Sequence, residues 1–257
     1  MGGNQVIVVQ DLTARFGQTT VLEKVSLTVD QGEVVVIAGG SGCGKSTLLK
    51  HLIGLYRPHA GRIWINQVEI TSPDLRNLDL VRPQIGVLFQ SGALLGSMTL
   101  AENVVLPMRD FLGLGRNSAE LMARMKLSLV NLSGYENHLP SEVSGGMLKR
   151  AGLARAMALD PSILFFDEPS AGLDPITSAE LDLLIKRINQ GLGTTMVIVT
   201  HELDSIMNIA HRVIMLDKSA RGIIAQGSPQ RLKERSRDPL VSNFFHRRVG
   251  NAGGAKP

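Results

Sequence analysis

One glycine-rich segment constrains the fold more than any other part of the sequence: Gly39-Gly40-Ser41-Gly42-Cys43-Gly44-Lys45-Ser46-Thr47. It follows the apolar, β-branched run 33–38 and precedes residues 48–53, which have the composition of a helix. The spacing G-x-x-x-x-G-K-[ST] is met in full. Glycines in such a loop let successive backbone N–H groups point at phosphate oxygens, and the helix N-terminus adds the positive end of its dipole. The sequence therefore predicts a nucleoside triphosphate site, where Lys45 reaches the β- and γ-phosphates and the Ser46 hydroxyl binds Mg²⁺.

Length and composition set broad limits. The chain has 257 residues, of which 19% are charged, and is long enough for one large or two modest domains. Its single cysteine excludes an internal disulfide and is typical of a reducing compartment. We see neither a signal peptide nor a run of the roughly 18 apolar residues that a membrane span needs. We therefore expect a soluble protein that reaches any membrane through a partner, and the net charge of +4 is no indication of nucleic acid.

The chain in order predicts an α/β fold. Alternating residues 6–29 predict two or three antiparallel strands with a turn at residues 16–19, and later apolar runs predict buried parallel strands separated by helices. We predict a core of a mainly parallel sheet flanked by helices, formed by residues 1–90 and 160–235 and carrying the N-terminal antiparallel β subdomain. Residues 91–159 have helical spacing and predict an inserted α-helical subdomain. The rest, 236–257, is a basic tail with a glycine-rich end for which we expect disorder.

Polar residues end three of the predicted parallel strands. Asp167 and Glu168 follow the apolar run 163–166, where two carboxylates are costly unless they meet a cation or a reacting group. With a phosphate loop in the same chain, we interpret Asp167 as the Mg²⁺ partner and Glu168 as the general base for water; a capped turn is the alternative. His201 either bonds the γ-phosphate and the water or caps the next helix, and Gln90 either contacts Mg²⁺ and water or is a plain strand-end amide.

Two further features have two interpretations on the residues alone. Phe16 stands on the predicted turn, where it either stacks on an adenine ring or packs on its own hairpin. Ser144-Gly145-Gly146 precedes a helix that begins near Met147. A serine followed by paired glycines there is either a second anion site or an ordinary N-cap.

These motifs, in this order, resemble the ATPase subunits of ABC transporters, and the likeness covers about residues 5–230. They match the family's Walker A, Q-loop, signature, Walker B, D-loop and H-loop at residues 39–47, Gln90, Ser144-Gly145-Gly146, Asp167-Glu168, Ser170-Ala171-Gly172-Leu173-Asp174 and His201. The resemblance implies a P-loop NTPase core and an ATP hydrolase that uses ATP and Mg²⁺. The metal is expected on Ser46, Gln90 and Asp167, and catalysis on Glu168, His201, Lys45 and Gln90.

The same resemblance implies a homodimer in which two ATP molecules lie head to tail between the subunits. Each ATP would be held by Walker A of one subunit and by Ser144, Gly145 and Gly146 of the other. Phe16 would then stack on adenine, and Asp174 would link the two sites. The sequence departs from the family at Met147, where the usual signature has glutamine, so one polar contact near the nucleotide is lost.

A narrower resemblance, to the ATPase of Mla/MCE-type lipid transporters, rests on Gly145-Gly146-Met147, Pro107 and the phrase Phe89-Gln90-Ser91-Gly92-Ala93-Leu94-Leu95-Gly96-Ser97-Met98-Thr99-Leu100-Ala101-Glu102-Asn103-Val104. It implies phospholipid transport between the membranes of Gram-negative bacteria, with relatives in mycobacteria and plastids. The partners would be integral-membrane permease subunits, whose coupling helix docks near Gln90 to Pro107, an MCE-domain protein and in some systems a small STAS-domain protein. The chain would lie on the cytoplasmic face of the inner membrane. An ABC importer of amino acids or another small solute is the alternative, followed by a soluble ABC ATPase without a transporter.

For two residues and one pair, the resemblance to a known family leaves two interpretations open. Glu102 is a candidate permease contact or an acid at a helix start. Phe244 and Phe245, in the basic segment 229–248, anchor it on the neighbouring subunit or close their own domain. Cys43 either exposes the phosphate loop to thiol reagents or is a tolerated small residue.

Overall fold

The structure is a computed structural model that describes residues 5–248. The end of the chain, residues 250–257, for which disorder is predicted, lies outside these residues. The strands are β1 (Gln5–Phe16), β2 (Thr19–Asp30), β3 (Val34–Gly39), β4 (Ala60–Ile65), β5 (Val68–Glu69), β6 (Ile85–Leu88), β7 (Ile163–Asp167), β8 (Thr195–Val199), β9 (Arg212–Asp217) and β10 (Gly222–Gly227). The helices are α1 (Lys45–Leu52), α2 (Arg76–Val81), α3 (Leu100–Leu112), α4 (Arg116–Leu129), α5 (Gly145–Ala156), α6 (Pro175–Leu192), α7 (Leu203–Ile209), α8 (Pro229–Arg235) and α9 (Pro239–Phe245).

The larger sheet has six strands in the order β10-β9-β3-β8-β7-β6. All pairs in it are parallel except β10 with β9. Every residue of β3 and β8 is buried, which explains why these strands are continuously apolar rather than alternating. The parallel register brings the carboxyl ends of β3, β7 and β8 to one edge, where Asp167 pairs with Val199. This edge receives the polar residues that the sequence analysis singled out.

The smaller sheet is antiparallel, with the order β2-β1-β4-β5. β1 and β2 form a hairpin closed by the pair Phe16 and Thr19, and Gly17 at its tip has a φ of 57°. The two sheets and the helical segment together confirm the predicted fold class: α/β with an antiparallel β subdomain and an α-helical subdomain.

Alternate residues of β3 belong to different hydrophobic clusters. Val35 and Ile37 pack in one cluster with α1 and the antiparallel sheet. Val34, Val36 and Ala38 pack in the other, with α3, α4, α5 and α6. Because side chains alternate along a strand, the central sheet separates the two cores.

The helical subdomain consists of α3, α4 and α5, and its capping explains where α3 begins. The Thr99 hydroxyl accepts from the Glu102 backbone N at 3.2 Å, and the Glu102 carboxylate accepts from the Thr99 backbone N at 2.8 Å. This reciprocal pair is a capping box. Glu102 thus serves as a helix-start acid, one of its two interpretations, and its contact with a permease stays a prediction.

The C-terminal part differs from the sequence-based expectation in two places. β10 is an antiparallel edge strand that the sequence analysis did not predict, and the basic segment 229–248 is divided into two short helices, α8 and α9. The break falls before Asp238, whose carboxylate accepts from the backbone N of Leu240 at 2.8 Å and so caps α9. Val241 and Phe245 are buried in the main core, so α9 packs on its own domain. Across residues 5–248, no helix has both the length and the apolar content to cross a membrane.

Candidate active site

The phosphate loop joins β3 to α1 and has a backbone that requires glycine. At Gly39, φ is 142°, and a Cβ there would lie 2.2 Å from the main-chain O of Leu216 on β9. Gly44, the residue before α1, has a φ of 101°. Gly40 and Gly42 face open space. The Lys45 Nζ donates to the main-chain O atoms of Gly39 (2.9 Å) and Gly40 (3.0 Å), so the cation lies over the loop.

Cys43 points away from this open side. Its side chain is buried in the cluster around α1, and burial raises the pKa of its thiol. A protonated, buried thiol is a poor target for thiol reagents. The geometry therefore favours a small core residue at position 43, and a contact between this residue and a phosphate would come from its backbone.

Ser46 and Asp167 meet at the sheet edge. Ser46 lies in the first turn of α1, Asp167 is the last residue of β7, and the Ser46 Oγ donates to the Asp167 Oδ1 at 2.9 Å. A hydroxyl beside a carboxylate fits Mg²⁺, which prefers oxygen ligands and keeps several waters. Over residues 5–248 there is no cluster of three or more histidine, cysteine, aspartate or glutamate side chains that could hold a metal. A Mg²⁺ at Ser46 and Asp167 would therefore complete its shell from phosphate oxygens, Gln90 and water.

Glu168 has a strained backbone and an incompletely bonded carboxylate. Its φ is 48°, and its backbone N donates to the Val199 O at 2.8 Å. The His201 Nδ1 lies 3.0 Å from both carboxylate oxygens, with hydrogen-bond geometry only to Oε1. Oε2 is buried and accepts no hydrogen bond from any described residue. A buried carboxylate oxygen without a hydrogen-bond partner is costly. The side chains of Glu168 and His201 are 14% and 62% exposed.

Most of the predicted residues on this side line one cavity of about 830 Å³, whose lining does not include Asp167. Phe16, Gln90, Glu168 and His201 line it together with all of the loop 39–47 except Cys43. Gln90 and His201 do not end their strands as expected; each lies two residues beyond, after β6 and β8 respectively. The displacement puts both side chains on the short segments that leave the sheet edge.

Phe16 has a partner that the sequence analysis missed. Its ring is 50% exposed at the end of β1 and meets Tyr56 edge to face, with the centroids 5.8 Å apart. The Lys50 Nζ lies 5.6 Å from the centroid of the Tyr56 ring. Tyr56 thereby fixes one side of Phe16 and leaves the rest of the ring exposed. Val21, Ala171 and Phe244 also line the cavity, although none of them was predicted as a nucleotide-site residue. Ala171 lies within the predicted D-loop and Phe244 in the basic segment 229–248, whereas Val21 belongs to no motif.

The signature residues Ser144, Gly145 and Gly146 lie at the start of α5, outside the lining of this cavity. The Ser144 hydroxyl caps α5 by accepting from the Met147 N at 3.3 Å, as its ordinary interpretation requires. The site of a Cβ at Gly146 would lie 2.5 Å from the Thr177 Cγ2 on α6. Asp174 caps α6, and the hydrogen bond from the Thr177 hydroxyl holds the pKa of its carboxyl below the usual range. The cavity beside the phosphate loop is lined by none of Ser144, Gly145, Gly146 and Asp174.

Comparisons with known proteins agree with this arrangement. Residues 22–171 match the family model described as ABC transporter. The "Probable ribonucleotide transport ATP-binding protein mkl" of Mycobacterium tuberculosis is 42% identical over 248 residues, which is 96% of this chain and 68% of the relative. The "Methionine import ATP-binding protein MetN" of Brucella abortus is 42% identical over 226 residues, which is 87% of this chain and 60% of the relative.

Two solved structures have a similar fold. The ATP-binding cassette MJ0796, in a dimeric post-hydrolysis state bound to ADP and Pi, has a TM-score of 0.79 at 30% identity and covers 87% of this chain and 98% of its own. cbiO1 from Clostridium perfringens, part of the ABC transporter complex cbiONQ, has a TM-score of 0.80 at 26% identity. That match covers 90% of this chain and 91% of cbiO1.

Proposed function

The chain belongs to the ABC transporter family as an ATP-binding cassette, and from this premise we propose that it drives a membrane permease by closing and opening as a dimer. Cassettes of this family hydrolyse ATP with Mg²⁺, dimerise and pair with membrane permease subunits. What remains to be assigned is the role of each residue, the cargo and the partners of this chain.

We propose that hydrolysis is an in-line attack of water on the γ-phosphate of ATP. Lys45 and the backbone N–H groups of the loop hold the phosphates, and Phe16 stacks on the adenine. Ser46, Gln90 and Asp167 would hold the Mg²⁺, with Asp167 acting through water, and the bound metal would supply positive charge beside the phosphate oxygens.

Glu168 acts as the general base in this proposal, and the state of its carboxylate is the observation that carries it. Glu168 lines the same cavity as the phosphate loop with its side chain 14% exposed, and its buried Oε2 has no hydrogen-bond partner among the described residues, so the carboxylate keeps an unused acceptor for the proton of a water that lies against the γ-phosphate. His201 holds Oε1 with its Nδ1–H, and in the imidazolium form its largely exposed ring can also donate Nε2–H to the phosphate.

The signature residues are proposed to act on the ATP of a second subunit. Ser144, Gly145 and Gly146 do not line the cavity of their own chain, although the N-terminus of α5 is suited to an anion. A head-to-tail homodimer would bring them to the γ-phosphate of the partner's ATP, and Asp174, the N-cap residue of α6, would link the two sites.

The substitution Glu168→Gln tests the base assignment. We expect the turnover number for ATP to fall by about 10²–10⁴-fold, because the amide cannot take the proton, while ATP still binds. Light scattering should then find ATP-bound dimers that persist. Glu120→Gln, which removes an exposed carboxylate paired with Arg116 on α4, is the matched control and should keep wild-type turnover. Unchanged hydrolysis in Glu168→Gln would defeat the assignment.

For the cargo, we propose phospholipid, moved between bacterial membranes through an MCE-type complex. The support is the residue phrase 89–104 with Pro107 and Met147, and the mycobacterial source of the Mkl relatives is consistent with it. The helical subdomain, residues 91–159, would receive the permease's coupling helix between Gln90 and Pro107. The chain would lie on the cytoplasmic face of the inner membrane, with an MCE-domain protein and, in some complexes, a small STAS-domain protein.

The second candidate is import of a small polar solute, which the names of the relatives favour: one is named for methionine import and one for ribonucleotide transport. Purification of the tagged chain from native membranes in mild detergent, with mass spectrometry of proteins and lipids, separates the two. A permease with an MCE-domain protein and bound phospholipid supports lipid transport. A solute-binding protein in its place supports the importer, and ribosomes or DNA without a permease would contradict both.

A further inference from the structure

Helix α5 carries two cations that do not pair with carboxylates. Lys149 is 6% exposed, Arg155 is half-buried, and neither forms an ion pair with any described residue. Both donate instead to main-chain oxygens of one short segment, residues 90–93, which we term the Gln90 loop. The Lys149 Nζ donates to the O of Gln90, and Arg155 donates to the O atoms of Ala93 (Nη1, 2.6 Å) and Gly92 (Nη2, 3.1 Å).

Burial in the protein disfavours the charged forms of Lys149 and Arg155. Burial lowers the pKa of Lys149, and the negative charges of Glu168 and Glu202 act against that shift. Burial also lowers the pKa of Arg155. Buried charges are tolerated where they form good hydrogen bonds, and here Lys149 and Arg155 each donate to main-chain oxygens of the Gln90 loop.

The Gln90 loop has a backbone that needs such support. Gly92 has a φ of 73° and Ala93 a φ of 50°, and the left-handed region is unfavourable for alanine. Strained backbone persists where the surrounding contacts determine it. The carbonyl groups that receive the donors of Arg155 belong to these two residues.

Packing brings the Gln90 loop onto the surface of α5 between the two cations. Gly152 lies between Lys149 and Arg155, and a Cβ there would be 3.0 Å from the O of Gly92 and 2.8 Å from the Leu88 Cδ1. Helix and loop backbone are thus in direct contact. The three residues on α5 hold every residue of the Gln90 loop except Ser91.

We propose that Lys149 and Arg155 are positioning residues for ATP hydrolysis, which tie the Gln90 loop to α5 and so hold the Gln90 side chain at the edge of the nucleotide cavity. The same helix begins at Ser144, so its N-terminus faces the partner's ATP, if the proposed dimer is right, while its middle fixes Gln90 at the ATP of its own subunit. A shift of α5 at the partner's ATP would therefore also move Gln90 at the ATP of its own subunit. This last consequence rests on the proposed function, whereas the tie between helix and loop does not.

Hydrogen exchange of the nucleotide-free protein tests the tie. The amide of Gly92 is protected by its bond to the Phe89 O at 2.8 Å and reports opening of the loop. Lys149→Met removes the donor at similar volume, and we expect exchange at Gly92 and Ala93 to become about tenfold faster. Lys149→Arg keeps a cation and should restore exchange to within about twofold of wild type. Lys126→Met, which removes a similarly buried lysine that pairs with Asp160 and has no hydrogen bond to the Gln90 loop, should leave exchange at Gly92 unchanged.

Steady-state kinetics tests the positioning role. For Lys149→Met we expect kcat to fall about tenfold while KM for ATP stays within about twofold, since Phe16 and the phosphate loop are untouched. Unaltered exchange at Gly92 would overturn the tie, and faster exchange with wild-type kcat would overturn the positioning role. Should Lys149→Met not fold, Arg155→Lys loses one of two donations and gives the same test. A wild-type chain without ATPase activity would refute the proposed function instead and leave the exchange result standing.

Discussion

Asp182 shows how burial alters a single side chain. It lies on α6 and is 4% exposed, and desolvation raises the pKa of its carboxyl to about 6. The hydrogen bond from Ser205 lowers this pKa, and the nearby charge of Glu202 raises it further. The folded protein therefore binds this proton more tightly than the unfolded chain, whose aspartates titrate near 4.

The sign of the pH dependence follows. The contribution of Asp182 to stability is fully present below about pH 4 and is lost as the pH rises towards about 6, where the folded protein must bury a charge. Relative to wild type, Asp182→Asn should gain about 2 kcal/mol of unfolding free energy between pH 4 and pH 7. Urea unfolding at both pH values measures this gain. A difference between the proteins that does not vary with pH would contradict the assigned pKa.

Phe16 permits a second prediction at the same scale. Phe16→Ala should raise the Kd for ATP about tenfold, since stacking of a base on an aromatic ring contributes about 1–3 kcal/mol. Phe16→Tyr retains the ring and serves as the control, with a Kd within about threefold of wild type. Calorimetric titration with ATP measures both. Equal Kd values for the alanine variant and wild type would mean that Phe16 only packs on Tyr56.

The site residues differ in how far the sequence could identify them. Lys45, Ser46, Asp167, Glu168 and His201 follow a recognisable spacing or end an apolar run, so their convergence was predictable. Lys149 was visible only as a cation on the signature helix, because its contact with Gln90 spans 59 positions and depends on tertiary packing. Tyr56 was missed for the same reason, since its partner Phe16 lies at the end of β1, in a distant part of the sequence.

At the scale of elements, close packing leaves room only for glycine at some positions, while at other glycine positions a side chain would fit. In β6, a Cβ at Gly86 would lie 2.0 Å from the main-chain O of Ala156, at the end of α5. In α6, Gly191 faces open space. We expect Gly86→Ala to cost about 2–3 kcal/mol and to lower Tm by about 4–10 °C. Gly191→Ala should instead gain about 0.5–1 kcal/mol, because alanine is the better helix former.

Calorimetry on this pair of variants measures how tightly α5 lies against the sheet. If Gly86→Ala melted at the wild-type temperature, the contact between β6 and the end of α5 would be looser than the geometry requires. The same contact bears on the Gln90 loop, which begins two residues after the end of β6.

Elements with a strong periodic signal were predicted well, and those set by tertiary context were not. β3, β7 and β8 are continuous apolar runs, and the helices of residues 91–159 have clear helical spacing. β10 is short, mixed in polarity and held by pairing with β9, which no local pattern encodes. The break between α8 and α9 comes from the Asp238 cap and Pro239, a turn signal that lay within an otherwise uniform basic segment.

At the scale of the whole molecule, the proposed sharing of each ATP site between two subunits can be tested by combining two variants in one dimer. Lys45→Ala removes the phosphate cation and Ser144→Arg blocks the signature, so each homodimer should be inactive. A heterodimer of the two keeps one site in which both partners are intact, and it should retain about half of the wild-type turnover. Two affinity tags, one on each variant, isolate that heterodimer for the assay. Activity no higher than that of the parent homodimers would contradict the shared site.

The two clusters on either side of β3 allow independent adjustment of two halves of the molecule. Val35 and Ile37 face the half that carries the nucleotide loop, and Val34 and Val36 face the half from which the helical subdomain extends. A substitution at one position of β3 therefore alters packing mainly in one of the two clusters, although the next residue along the strand packs in the other cluster. Sequence drift under selection from a permease can thus proceed through every second residue of the strand, while the hydrolytic side keeps its shape.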